Sequence, residues 1–215
     1  MNIDVCVPRD RKLEETPSIE QLYELPESEV ISRIKKLRTQ LGDKLLILGH
    51  HYQREEVIEF ADVTGDSLKL AQEAAKTTAP YVIFCGVHFM AEMADVLTSD
   101  EQVVILPDPA AGCSMADMAN DEQVRRCWSE LELVINPDDC VTPMTYINST
   151  AALKAFCGEH KGIVCTSGNA KRVMTWAWDK REKILFFPDQ HLGENTAITM
   201  GIEDKDMITW DPFKP

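Results

Sequence analysis

Apolar and polar positions follow two rhythms along the chain. In SEVISRIKKLRTQLG, starting at Ser28, the residues Val30, Ile31, Ile34, Leu37 and Leu41 recur at helical spacing, and Gly42 supplies a stop. That pattern predicts an amphipathic covering helix. Beyond it, short unbroken apolar runs, KLLILG at 44–49, YVIFCG at 81–86 and QVVIL at 102–106, are separated by helix-like segments such as DSLKLAQEAAKTTA and HFMAEMADVLT. Apolar runs this short, alternating with helices, predict strands buried on both faces in a parallel α/β sheet. After DEQVRRCWSELE the rhythm restarts with MTYIN (144–148), GIVCTS (162–167), KILFFP (183–188) and DMITW (206–210), with AKRVMTWAWDK as an intervening helix. The expectation is an α/β chain of two tandem parallel β/α units, 28–120 and 121–215, behind a polar, aperiodic arm at 1–27 in which no function is expected.

Composition narrows the function classes. The 215 residues are 44% apolar, enough to bury a core, and no stretch approaches the length of a membrane span. The start, MNIDVCVPRDRKLEETPS, has no apolar signal-peptide core, so the expected location is the cytoplasm. A net charge of −14 repels nucleic acids and anionic membranes, so an anionic ligand must be held by local donors such as helix N-termini and single side chains. The seven cysteines are scattered without a C-x-x-C pair, which argues against a zinc ribbon, a redox dithiol or a disulfide framework. Cys85 and Cys165 lie in strand-like runs and read as core. Neither unit carries G-x-G-x-x-G or a Walker A loop.

In parallel α/β sheets ligands bind beyond the carboxyl ends of the strands. Those positions are polar here: His50, His51 and Tyr52 after the first run, then Asn148, Ser149 and Thr150, then Thr166, Ser167 and Asn169, then Asp189 and His191. Ser67 and Ser167 fall where helices are expected to begin, which suits either N-capping or the binding of a carboxylate or phosphate; for Ser67 alone, capping is the simpler reading. His50 and His51 are neighbours, so in an extended segment they point apart and share no metal. A strand-end histidine followed by tyrosine suits acid/base work as well as packing. Cys113, between Gly112 and Ser114 after the loop PDPAAG and with no apolar run around it, is a candidate exposed thiolate.

The segments LGHHYQ (48–53), GDSLKLA (65–71), FCGVHFMAE (84–92), LPDPAAGCSMADM (106–118), TYINST (145–150), CTSGNA (165–170) and FPDQHLG (187–193) occur in one order that resembles the quinolinate synthase family from about residue 28 onward. The resemblance implies two of three pseudo-symmetric three-layer α/β domains around a central cavity, with one cysteine per domain on a [4Fe-4S] cluster. Cys113 matches the first ligand, although it sits in G-C-S-M where the family pattern has T-C-P-M. His50, Tyr52, Ser67, Tyr146, Asn148 and Ser167 match substrate-pocket positions, with Tyr52 and His50 as the proton-transfer pair. The implied reaction condenses iminoaspartate, the product of an upstream aspartate oxidase, with dihydroxyacetone phosphate to give quinolinate for NAD biosynthesis. An iron with an open position would serve as Lewis acid. The second and third cysteine ligands and the third domain do not appear before Pro215, and Cys127, Cys140, Cys157 and Cys165 read as structural. The chain is therefore expected to be truncated and inactive alone, the alternative being a non-catalytic binding or scaffold fragment of the same fold.

Overall fold

The computed structural model describes residues 18–214, so the remainder of the expected arm, including Cys6, lies outside the described residues. The chain divides into two compact units, Met1–Gly42 and Asp43–Pro215. In the first, α1 (Ile19–Tyr23) begins with a capping box, in which Ser18 and Gln21 satisfy each other's backbone N–H groups. It is followed by α2 (Glu27–Leu41), the amphipathic helix predicted from its periodicity. Val30, Ile31, Ile34 and Leu41 are the partly covered positions, whereas Leu37 is 55% exposed. Gly42 ends the helix with φ of 50°, a conformation that other residues rarely adopt, while its N–H returns to the Arg38 carbonyl.

The second unit holds two parallel sheets. Its elements run β1 (Leu45–His50), α3 (Glu55–Ile58), β2 (Val63–Gly65), α4 (Ser67–Ala74), β3 (Tyr81–Cys85), α5 (His88–Leu97) and β4 (Val103–Ile105). They continue with α6 (Asp121–Glu132), α7 (Pro137–Cys140), β5 (Val141–Tyr146), α8 (Ala151–Glu159), β6 (Ile163–Cys165), α9 (Ala170–Lys180), β7 (Lys183–Phe187) and α10 (Gln190–Thr199). The first sheet has the order β2-β1-β3-β4 and the second β6-β5-β7. All strand pairs are parallel, as the α/β reading requires.

The central strands explain the apolar runs. Leu48 of β1 and Val82 and Phe84 of β3 have no exposed surface and pack with Leu70 and Ala74 of α4 and Phe89 and Ala94 of α5. β5 is less obvious from sequence because it begins with Val141, Thr142 and Pro143. Its two threonines are fully buried yet satisfied: Thr142 donates to the Ala177 carbonyl at 3.0 Å and Thr145 to the Ser149 hydroxyl at 3.1 Å. Gly162, before β6, lets the chain pass the β5 backbone, since a Cβ there would lie 2.1 Å from the Pro143 carbonyl oxygen.

Two expectations need correction. The run DMITW forms no strand: its first residue, Asp206, ends a 3-10 turn at Asp204–Asp206, and Ile208 is 95% exposed. The apolar spacing there is real, but no sheet edge pairs with it. β2 had no apolar run to announce it, yet it pairs with β1 through Leu48 and Val63.

Candidate active site

Every candidate residue but Cys113, which lies in the long loop after β4, is at or just beyond a strand's carboxyl end, or at the start of the helix that follows. His50 ends β1 and is 7% exposed. Its Nδ1 accepts a weak hydrogen bond from the Tyr52 N–H at 3.4 Å, which assigns the proton of the neutral ring to Nε2. Burial lowers its pKa, the adjacent His51 lowers it further, and the nearby Asp66 carboxylate partly opposes both. His50 is therefore a neutral imidazole at physiological pH.

His51 and Tyr52 occupy a turn, not an extended segment. The expectation that the two histidines point apart is corrected accordingly: their rings stack with centroids 4.5 Å apart. Tyr52 is 85% exposed and stands edge-on to both rings, at 4.8 Å from His50 and 4.4 Å from His51.

Ser67 is the first residue of α4, but Asp66 caps the helix by accepting from the Lys69 N–H at 2.8 Å. The simpler reading of Ser67 as the cap is thus overturned. Its buried hydroxyl makes no side-chain hydrogen bond among the described residues and remains available to a ligand.

A second group gathers around Tyr146, the half-buried last residue of β5. Burial raises its phenol pKa, a hydrogen bond with the Ser167 side chain lowers it, and Asp189, Cys113 and Cys165 add further upward pushes. One side chain thus senses groups from the loops after β4, β6 and β7. Cys113 is half-buried against the core of the first sheet. Its loop is held by Asp108, which accepts from the Ala110 N–H at 2.9 Å, and by the His88 N–H, which donates to the Ala111 carbonyl at 2.9 Å. Asp189 caps α10 by accepting from Leu192 at 3.0 Å, so its carboxylate is held beside Tyr146.

Ser167 lies two residues before the α9 cap position, Asn169, rather than at the helix start. Asn148 sits half-buried in the turn after β5, whereas its neighbours have structural work: Ser149 is fully buried and Thr150 caps α8. The two halves of the unit meet beside this turn, where Ile147 packs on Ala71 of α4 and Met93 of α5, with Tyr146 against the same cluster.

The structure therefore makes two clusters of the candidates, His50 with Tyr52 after β1 and Tyr146 with Ser167 and Cys113 at the end of β5, while Ser67 begins α4 and Asn148 lies in the turn after β5. No hydrogen bond or ring contact joins the two clusters among the described residues. A groove of about 690 Å³ lies elsewhere, between α6, β7, α10 and the segment at 206–212.

Comparison with known proteins decides the family. The family model described as quinolinate synthetase A protein matches residues 32–213. The chain belongs to the quinolinate synthase family. It is 57% identical over 186 residues to quinolinate synthase from Anoxybacillus flavithermus, covering 86% of this chain and 50% of that protein. The Acidobacterium capsulatum quinolinate synthase is 56% identical over 197 residues, covering 92% and 53%. That of Bacillus subtilis is 53% identical over 196 residues, covering 91% and 53%. The chain thus spans about half the length of the quinolinate synthases it matches.

Among the described residues no three histidine, cysteine, aspartate or glutamate side chains converge as a metal site. Cys113 and Cys165 both lie near Tyr146, Cys165 as the last residue of β6 and Cys113 in the loop after β4. The described residues by themselves do not make up a cluster's ligand set. Sequence reasoning missed two polar residues at the seam, Glu92 and Lys154. Neither follows a strand, and only the packing of α5 on α8 brings them together.

Proposed function

We propose that this chain carries substrate-binding and proton-transfer groups of a quinolinate synthase, which condenses iminoaspartate with dihydroxyacetone phosphate to quinolinate, with release of phosphate and water. The observation that supports this most is the environment of Tyr146, whose phenol neighbours Ser167, Asp189 and Cys113 at the strand ends of a chain in this family. On this reading the two sheets belong to β/α domains at 28–120 and 121–215. The protein works in the cytoplasm as a step of NAD biosynthesis, with iminoaspartate supplied by an aspartate oxidase.

The geometry supports a role for each of these residues. The neutral His50 ring presents Nε2–H as a donor to a substrate oxygen, and the exposed Tyr52 phenol beside it exchanges protons with substrate. Ser67, with an uncommitted hydroxyl at the α4 N-terminus, binds carboxylate or phosphate oxygen. Tyr146 stays protonated well above neutral pH because burial disfavours phenolate, so it acts as a hydrogen-bond donor alongside Ser167 and Asn148. Cys113 is proposed as one thiolate ligand of a [4Fe-4S] cluster whose other ligands are not among the described residues. When bound, such a cluster supplies an iron Lewis acid.

The test uses protein produced from its own gene to the natural stop codon and reconstituted anaerobically with iron and sulfide. Quinolinate formation from the two substrates is expected, with Ser167→Ala and Asn148→Ala raising KM for at least one of them. A protein with a full cluster that makes no quinolinate, or variants with unchanged kinetics, would refute the assignment.

A further inference from the structure

Lys154 sits on α8, and its half-buried side chain runs back along the helix to the turn after β5. Its ammonium donates to the carbonyl oxygen of Ser149 and to the Ser149 hydroxyl, the latter at 3.2 Å. Ser149 is fully buried, and its hydroxyl in turn donates to the Tyr146 carbonyl at 2.6 Å while accepting from Thr145 at 3.1 Å. The turn that carries Asn148 and begins at Tyr146 is therefore closed by one continuous chain of hydrogen bonds ending on Lys154.

The other side of Lys154 belongs to the first sheet's helices. The Phe89 ring of α5 lies 5.6 Å from its Nζ. Glu92, one turn further along α5, accepts from the Ala151 N–H in the first turn of α8 at 3.1 Å, and its carboxylate is close enough to favour the Lys154 ammonium. His88 completes the set, 3.8 Å from Glu92. Burying an ammonium is costly without fixed partners, and here each partner is either the turn itself or the helix that the turn must meet. Burial also lowers the Lys154 pKa to about 8, a cost that Glu92 and Cys157 only partly offset.

We propose that Lys154 is a positioning residue: through Ser149 it holds the Tyr146–Thr150 turn against α5, so that the Tyr146 phenol and the Asn148 amide meet substrate in one fixed arrangement. This rests on the substrate-anchoring roles proposed above for those two groups. A brace that served stability alone would leave substrate affinity unchanged in any protein that still folds, which separates the two possibilities.

The experiment compares Lys154→Met and Lys154→Arg with the parent. In amide NMR spectra of the 215-residue chain, Lys154→Met is expected to shift the signals of residues 146–150 and to spare those of β1 and β3, and Lys154→Arg to bring the shifted signals back towards the parent. In the cluster-bearing enzyme, Lys154→Met is expected to raise KM about tenfold with kcat changed less than about threefold, and Lys154→Arg to recover most of the loss. Unshifted turn signals, or a lower melting temperature with unchanged KM, overturn the proposal. Should Lys154→Met not fold, the coupling through the hydrogen bond from Lys154 Nζ to the Ser149 carbonyl, measured in the parent chain, decides instead, and its absence overturns the proposal. If the parent enzyme makes no quinolinate, the functional reading fails, and the amide shifts alone decide whether Lys154 holds the turn.

Discussion

Replacing Lys154 with methionine has a second consequence, visible in stability alone. Burial lowers the ammonium pKa to about 8 from an ordinary 10.5, with Glu92 of α5 and Cys157 of its own helix pulling the other way. Because the folded value lies below the unfolded one, the unfolded chain binds the extra proton between about pH 8 and 10.5, and stability contributed by this group rises with pH across that window. About two and a half units, at about 1.4 kcal/mol each, set the whole effect at about 3.5 kcal/mol. Only about 1 kcal/mol of it is gained between pH 7 and pH 9. That lower range is the useful one, because the buried thiols begin to act in the opposite sense near 9.0, their ordinary pKa. The methionine variant has no group to titrate at this position, so the stability difference between parent and variant should change by about 1 kcal/mol in the parent's favour from pH 7 to pH 9. Urea unfolding followed by tryptophan fluorescence at pH 7, 8 and 9 measures it, and a difference that stays constant would refute the buried-ammonium reasoning.

Three other outcomes are expected. In the cluster-bearing enzyme, Tyr52→Phe should lower turnover by about a hundredfold or more while leaving the cluster's absorption intact; near-normal turnover would make Tyr52 a packing residue. Gly162→Ala forces a Cβ to within 2.1 Å of the Pro143 carbonyl oxygen, a backbone atom that no rotamer change can move, and should cost at least about 3 kcal/mol in urea unfolding. A loss below about 1 kcal/mol would contradict that close approach. On the proposed assignment Cys113 is the one cluster ligand among the described residues, so anaerobic reconstitution of the 215-residue polypeptide produced alone should leave it without stoichiometric iron and sulfide and without quinolinate formation. A full, active cluster on that polypeptide would show the ligand assignment to be wrong.

What could be read from the residues follows from which contacts are local. β1 and β3 were legible because the runs at 45–49 and 81–85 carry no charged position, as in strands of a parallel sheet flanked by helices. β2, three residues long, offers too little pattern, and β5 is disguised by Thr142 and Pro143, whose burial depends on Ala177 and Gly162 far along the chain. DMITW has strand-like composition but pairs with no sheet edge, and composition cannot supply the pairing. The candidate residues were legible as polar groups at strand ends, where the parallel topology collects them. Their division into two clusters, the capping of α4 by Asp66 and the stacking of His50 on His51 depend on turn geometry that spacing does not encode. Lys154 escaped notice because its partners on α5 lie some sixty residues earlier and face it only once the helices have packed.

The strand orders also bear on how the chain reaches this structure during synthesis. In the sheet β2-β1-β3-β4, β2 and β3 both pair with β1, and β4 pairs with β3; in β6-β5-β7, both later strands pair with β5. Every strand after the first of its sheet therefore finds its partner already made when it leaves the ribosome. Each sheet grows outward from its oldest strand, so every strand but β1 and β5 has a neighbour to dock on as soon as it emerges, which shortens the time its own edge stays open to other chains.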